Sequence, residues 1–455
     1  MSSQPSAGTA AVSHRRVLAI ALPMTVAHLT TPLLGIVDTA VVGRLGDAAL
    51  IGGVALGAVV FDFLFWGFGF LRMGTVGLAA QALGRGDRIE ERAVLARALL
   101  LALACGLGLI ALQLPIARAA LALAGASPEV DAAVATYFHV RIWAAPFTLA
   151  NYALVGWLTG IGRTGHALAL QVGIGVVNMA LTVWLVLGLD WGVAGSAAGT
   201  VAAEIVGAVA SLMVCARLLG YRLAVPRATL LDRHQIGATF VLNRDIMIRT
   251  AALMIAFSFF AAQGARAGDV TLAANALLNN MVLLAAYFLD GFATAAEQIC
   301  GQALGARNRT AFLRGIRLVI LWGLGFSLVA SGIYLAAGPA IIDLMTTNAE
   351  VRIAARAFLV FAAILPVVGV FAYAFDGIYI GALWSRDMRN LMLAALAMYL
   401  AAWWVLQPLG NTGLWLSFLV FLAARGALQA ARLPALVRRG FPEAAAGLQP
   451  ERGTP

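Results

Sequence analysis

Almost the whole chain divides into apolar stretches of the ~20 residues that a helix needs to cross a bilayer, separated by short joints of Gly, Pro or Arg. Twelve such stretches are read: 17-42, 49-82, 93-117, 131-158, 165-188, 192-219, 239-264, 271-303, 310-336, 350-380, 387-408 and 412-435. With 62% hydrophobic and 11% charged residues, the chain lacks the polar surface that soluble domains of this size would need. The expected fold class is an all-α polytopic membrane protein with twelve transmembrane helices.

The net charge of +10, carried by 31 basic residues that are all arginine, would suggest nucleic acid in a soluble chain. Its placement argues otherwise. With the N-terminus inside, the inner segments take Arg15 and Arg16, the group Arg85 to Arg97, Arg163, the group Arg217 to Arg249, the group Arg307 to Arg317, Arg386 and Arg389, and the arginines from Arg425 on. The outer segments take only Arg44, Arg118, Arg266, Arg352 and Arg356. Basic residues concentrate in cytoplasmic loops, so a multi-pass protein of the cell's inner (plasma) membrane is expected, with both termini cytoplasmic. The basic charge then faces lipid headgroups, and no nucleic-acid partner is expected.

The chain also repeats itself. "RLGDAAL" at 44 to 50 returns as "RAGDVTL" at 266 to 272, "QALGRGDR" at 81 to 88 as "QALGARNR" at 302 to 309, and "GWLTGIG" at 156 to 162 as "GIYIGAL" at 377 to 383. Six spans per half is an even number, which gives both halves one orientation and relates them by an axis along the membrane normal. The domain expectation is a disordered cytoplasmic tail at 1-16, an N-lobe at 17-219, an inter-lobe linker at 220-238, a C-lobe at 239-435 and a second cytoplasmic tail at 436-455. Duplicated halves of this kind favour a transporter with its site between them. A receptor or an intramembrane enzyme is the alternative from another class.

Enzyme signatures are missing. There is no HExxH, GxSxG or Walker A pattern, the histidines are scattered, and Cys105, Cys215 and Cys300 have neither disulfide-framework nor metal spacing. No cofactor, metal or catalytic residue is expected, and without a nucleotide-binding loop transport must draw on an ion gradient.

Membrane-embedded carboxylates are costly, tend to face cavities and are functional candidates by default. They are Asp38, Asp62, Glu204, Asp290, Glu297 and Asp376, with Arg72 and Arg141 as embedded bases. Asp38 shares a helix face with Thr31, Gly35 and Val42, in a span that Pro23 and Pro32 interrupt. A carboxylate taken out of water favours its neutral form until water or a cation reaches it, so one residue could carry either a proton or a cationic substrate. The position 222 residues later is Phe260, so the second half has no counterpart.

Glu204 lies one turn after Thr200, and Tyr137, Asn151, Asn178 and Thr182 supply further polar groups; each alone is as well explained as helix-packing glue. The repeat sets Arg72 level with Thr294, between Asp290 and Glu297, which suggests an inner gate, against the alternative of a permanent ion pair. Asp376 reads equally as a structural ion pair. Asp62, flanked by Phe61, Phe63, Phe65 and Trp66, is left open.

At these residues the sequence resembles the multidrug and toxic compound extrusion (MATE) family, in its DNA-damage-inducible protein F (DinF) branch. The motifs are "LLGIVDTAVVGRLG", "GFLRMGTVGLAAQALGRGD", "LNRDIMIRT", "LDGFATAAEQICGQALGAR" and "FDGIYIGA", in order along nearly the whole chain. The resemblance implies two pseudo-symmetric six-helix lobes in a V around a central cavity. It also implies export of amphipathic, cationic or aromatic compounds in exchange for protons or sodium. By position, Asp38 is similar to the family's ion-coupling acid, Pro23 to the proline at which its helix bends, and Asn178, Thr200 and Tyr137 to the polar network around it.

Where the family commonly has an aspartate four residues after that asparagine, this chain has Thr182. That departure favours protons over sodium. The expectation is a monomeric antiporter of small amphipathic organic substrates, with an organic-acid exporter or a lipid-precursor flippase as the alternatives.

Overall fold

The computed structural model describes residues 12–442 apart from 45, 126 and 223, with side chains except those of 31–34, 36, 39, 123 and 124. The first and last parts of the two expected tails, 1–11 and 443–455, lie outside the described residues, as does the side chain of Thr31.

The described chain is helical throughout. In order come α1 (His14–Gly43), α2 (Ala48–Gly67), α3 (Phe70–Arg85), α4 (Arg88–Ala111), α5 (Gln113–Ala124), α6 (Pro128–Arg141), α7 (Ala145–Gly160), α8 (Thr164–Val183) and α9 (Gly192–Leu218). The short α10 (Arg227–Leu230) precedes α11 (Arg233–Arg266), α12 (Asp269–Gly305), α13 (Arg309–Met345), α14 (Ala349–Gly381), α15 (Ser385–Leu406) and α16 (Asn411–Gly440). Ten helical segments among the described residues are long and apolar enough to cross a membrane. One of them is the pair α2 and α3, which runs from Ala48 to Arg85.

Several boundaries differ from the sequence reading, two of them for a visible local reason. α1 starts at His14, inside the expected tail, because the Ser13 carbonyl and hydroxyl accept its first free N–H groups. α11 starts at Arg233, inside the expected linker, because Asp232 accepts the N–H groups of His234 and Gln235. α16 continues to Gly440, past the expected end of the last span.

The chain forms two compact units. One, the N-unit, comprises Val26–Ala79 and Arg88–Asn243; the other, the C-unit, takes the chain's start through Thr25, Ala80–Asp87 and everything from Arg244. Thus α1 leaves one unit for the other between Thr25 and Val26, two residues after Pro23. Within the N-unit α8 packs on α9, α4 on α7 and α2 on α6; within the C-unit α14 packs on α12, α13 and α16. In the N-unit core the Phe61 ring meets those of Tyr137 and Phe138. In the C-unit a run of ring contacts links Trp415, Phe260, Phe418, Tyr399 and Phe421.

The sequence repeat has a physical basis in backbone contacts. In the N-unit, a Cβ on Gly156 of α7 would run into the Arg72 backbone of α3; in the C-unit, one on Gly377 of α14 would run into the Ala293 backbone of α12. The two pairs are related by the same shift of 221, so the counterpart of Arg72 is Ala293, one residue before the expected Thr294. The QALG motifs meet each other inside the C-unit. Gly84 lies on the Gln302 carbonyl and Gly305 on the Gln81 carbonyl, a reciprocal contact that only residues without Cβ permit. Just beyond, Gly86 and Arg307 both hold positive φ, at 71° and 54°, to turn the chain into the next helix.

Candidate functional site

α1, α2, α6, α7, α8 and α9 bring one polar cluster together inside the N-unit. Asp38 is 8% exposed, and its Oδ1 is buried with no hydrogen-bond partner. Thr182 stands beside it, fully buried, its own hydroxyl also unbonded. Four residues back on α8, Asn178 donates to the Thr200 hydroxyl at 2.8 Å, and that hydroxyl donates to the Ser196 carbonyl at 3.2 Å. That chain fixes which way the Asn178 amide faces and leaves its Oδ1 as a buried, unused acceptor.

Glu204 lies one turn beyond Thr200. Asn151 of α7 donates to both its carboxylate, at 2.7 Å, and its backbone carbonyl, at 3.0 Å. Both acceptors call for the amide nitrogen, so Asn151 Oδ1 is likewise left buried and unbonded. Tyr137 of α6, packed edge-on against Phe61, lies within electrostatic reach of Asp38, Asp62 and Arg141. The seven residues read from sequence as a substrate and proton set, Asp38, Tyr137, Asn151, Asn178, Thr182, Thr200 and Glu204, therefore fall in one connected region.

Two further residues belong to it. Asp62 of α2, left open in the sequence, is exposed and faces the charge of Arg141. Arg141, at the end of α6, sits among Asp38, Asp62 and Glu204. Phe61 and Phe65 are core residues, whereas Phe63 and Trp66 are exposed. The cluster is rich in acceptors: three carboxylates and two spare amide oxygens answer to a single guanidinium. An arrangement of that kind can hold a proton or an organic cation.

The expected gate residues fall in different units. Arg72 of α3 belongs to the N-unit, where it lies within electrostatic reach of His28 and Tyr152. Asp290 and Glu297 of α12 belong to the C-unit. There Thr294, between them, donates to the Asp290 carbonyl at 2.9 Å.

Asp376 of α14 is in an ion-pair network, the structural alternative raised for it. It is 3% exposed and accepts from Arg249, from Arg425 at 2.6 Å and from Gln429 at 2.7 Å. This corrects the placement of Arg249 and Arg425 among the cytoplasmic arginines: both are buried charges of α11 and α16. The signal was present, since both lie within the bounds read for their own spans. Asp245, in the "LNRD" motif, was also passed over; it is fully buried and accepts from Arg389 at 2.7 Å and Ser385 at 3.2 Å. Among the described residues no three His, Cys, Asp or Glu side chains converge as they would around a metal ion.

The MatE family model matches residues 23–184 and 246–404. The chain belongs to that family. The DNA damage-inducible protein F of Escherichia coli (strain K12) is 40% identical over 408 residues, which is 90% of this chain and 89% of that one. The probable multidrug resistance protein NorM of Rhizobium meliloti (strain 1021) is 27% identical over 443 residues, 93% and 94% of the two chains. Among solved structures, a MATE protein in the bent conformation superposes with a TM-score of 0.84 at 19% identity, covering 95% of this chain and 97% of that one.

MATE proteins are transporters and not enzymes, and they need no cofactor. This chain is accordingly a multi-pass membrane transporter of the multidrug-efflux family, whose partners are a small organic substrate and the lipid bilayer.

Proposed function

We propose that the protein exports amphipathic, cationic or aromatic compounds in exchange for protons, and that Asp38 carries each in turn. The observation that carries this reading is the buried, unbonded carboxylate oxygen of Asp38 beside the uncharged Thr182. A buried carboxylate with one oxygen unbonded gains by keeping a proton or taking a cation there. Thr182 brings no second charge to help strip a metal ion of its water, which supports protons over sodium. Asp376 of the C-unit is less suited to that role, since Arg249, Arg425 and Gln429 already occupy it.

An organic-acid cargo would need arginines free to bind it; Arg249 and Arg425 are engaged by Asp376, and Arg141 stands among Asp38, Asp62 and Glu204, whose charges would repel an anion. The repeated backbone contacts, with α1 and the broken run from α6 to α7 taken as two further crossings, support twelve spans in two halves of six. Cargo and proton would then reach the site from alternate sides as the halves rock. The arginine distribution supports an inner-membrane orientation with both termini cytoplasmic.

The experiment is uptake of a fluorescent organic cation into inverted vesicles under separately imposed proton and sodium gradients, for the wild type and Asp38→Asn. Uptake driven by the proton gradient alone and abolished by Asp38→Asn is the expected result. Sodium-driven uptake would overturn the coupling, and normal uptake by Asp38→Asn would overturn the site.

A further inference from the structure

Arg141 is a charge without a bond. Asp38 of α1, Asp62 of α2, Glu204 of α9 and Tyr137 of its own helix all lie within electrostatic reach of it. Yet among the described residues it makes no salt bridge or hydrogen bond to any of them, and its Nε is buried and unbonded. What its guanidinium does rest on is a ring: its central carbon stands 5.5 Å from the centroid of Phe61, a core residue stacked on Phe138. A cation over an aromatic face is held without surrendering its charge to any one carboxylate.

Three other buried cations bond to acids directly, whereas Arg72, like Arg141, has an unbonded buried nitrogen. Arg249 and Arg425 bond directly to Asp376, and Arg97 bonds through two nitrogens to Glu90. Arg425 makes that bond while also standing 5.4 Å from the Phe421 ring centroid, so Arg141 is distinguished by having the ring without the carboxylate bond.

We propose that Arg141 is a tethered competitor for the exchange site, a built-in cation whose charge loosens the hold of the carboxylates on proton and cargo and so permits their release. The proposal rests on the reading of Asp38 as the exchange residue. Without Arg141, three carboxylates would hold an organic cation or a proton too tightly to let go. With it, each arriving cation meets a site that is already partly compensated. Arg141 is a positioning charge: it acts on cargo through the acids and need not touch it.

Other groups set the background against which this charge acts. They are Asp38 and His28 on α1, Asp62 on α2, Arg72 on α3, Tyr137 on α6, Tyr152 on α7 and Glu204 on α9. Among the described residues Arg141 is the cation whose charge reaches Asp38, Asp62 and Glu204, so removing it leaves these acids without that compensation.

The test compares Arg141→Gln, Arg141→Lys and Phe61→Leu. The readouts are proton-driven uptake of tetraphenylphosphonium into vesicles across a pH series, and its equilibrium binding to the purified protein. For Arg141→Gln, KM and maximal rate should fall together, binding should tighten about tenfold, and the pH profile should move up by about one unit, the low end of the effect of a nearby charge. Arg141→Lys keeps the charge and should keep the profile. Phe61→Leu releases the guanidinium toward the acids, so binding should weaken and the profile move down.

A loss of rate in Arg141→Gln with KM, binding and pH profile unchanged would overturn the proposal, as would shifts of the same sign in Arg141→Gln and Phe61→Leu. Should Arg141→Gln fail to accumulate, the sign of the Phe61→Leu shift decides. Asp38→Asn, run alongside, separates the two ideas. If it transports normally the exchange site itself is misplaced, whereas an inert Arg141 in an Asp38-dependent transporter defeats this inference alone.

Discussion

Asn151 and Glu204 are tied twice, since one side-chain amide on α7 donates to both the carboxylate and the backbone carbonyl of the same residue on α9. The bond to the carboxylate orients an acid, and the bond to the carbonyl fixes where on α9 that acid stands. Each helix therefore carries half of the definition of the site's position.

Asn151→Leu keeps the branched shape, though not the volume, and removes the donor to both acceptors. A buried acceptor stripped of its donor costs about 1–3 kcal/mol, and here two acceptors lose one. The purified variant should melt at a lower temperature than the wild type and should lose proton-driven transport. An unchanged melting temperature would mean that the tie contributes no stability.

Asp376 should behave in the opposite way to Asp38. Its oxygens are taken up by Arg249, Arg425 and Gln429, so neutralising it leaves two buried guanidiniums without the carboxylate they bond. Breaking a buried ion pair from one side costs about 3–5 kcal/mol. Asp376→Asn should therefore lose folded protein and melting temperature, and Arg425→Gln in the same chain should restore part of both. Asp38→Asn, whose parent carboxylate oxygen has no partner to lose, should fold as well as the wild type and fail only in transport. Equal melting temperatures for wild type and Asp376→Asn would refute the contrast.

Glycines divide sharply into those that carry a helix contact and those that do not. A Cβ on Gly377 would overlap the Ala293 carbonyl, whereas one on Gly108, within α4, meets nothing within 4 Å. Gly377→Leu should force α14 from α12 and cost at least the ~1–3 kcal/mol typical of overpacking. Gly108→Ala should instead stabilise α4 by about 0.5–1 kcal/mol, the usual gain for a helix interior. Thermal unfolding of the two purified variants gives the comparison directly, and a tolerated Gly377→Leu would show that α12 and α14 can part.

Much of this architecture is written in the sequence, for identifiable reasons. Long apolar runs mark helices because a bilayer leaves the backbone no other partner, and the repeats marked glycines whose absent Cβ lets two backbones meet. The polar cluster was legible because embedded polar residues are so few. What the sequence hid was pairing. Arg249 and Arg425 counted as loop charges until their helices were seen to converge on Asp376, and Asp62 had no meaning until α2 and α6 set it near Arg141. Burial of a charge can be guessed from one helix, but its partner depends on how several helices pack.

Thr182 is where the choice of coupling ion becomes testable. It is fully buried beside Asp38, with its hydroxyl unbonded and the α9 backbone of Gly199 packed against it. A hydroxyl there leaves Asp38 as the single charge at that point, enough for a proton, which needs one acceptor. A sodium ion needs several oxygens and gains more from charged ones. Thr182→Asp changes the side chain by little in volume and adds a second carboxylate at that point, so two acids would compete to ionise. The variant should show sodium-stimulated uptake of an organic cation that the wild type lacks, and its proton-driven uptake should reach its optimum at a higher pH because the paired acids share a proton. Both follow from a vesicle assay in which sodium and pH are varied independently. Sodium stimulation already present in the wild type, or absent from a Thr182→Asp protein that folds normally, would show that this position does not select the ion.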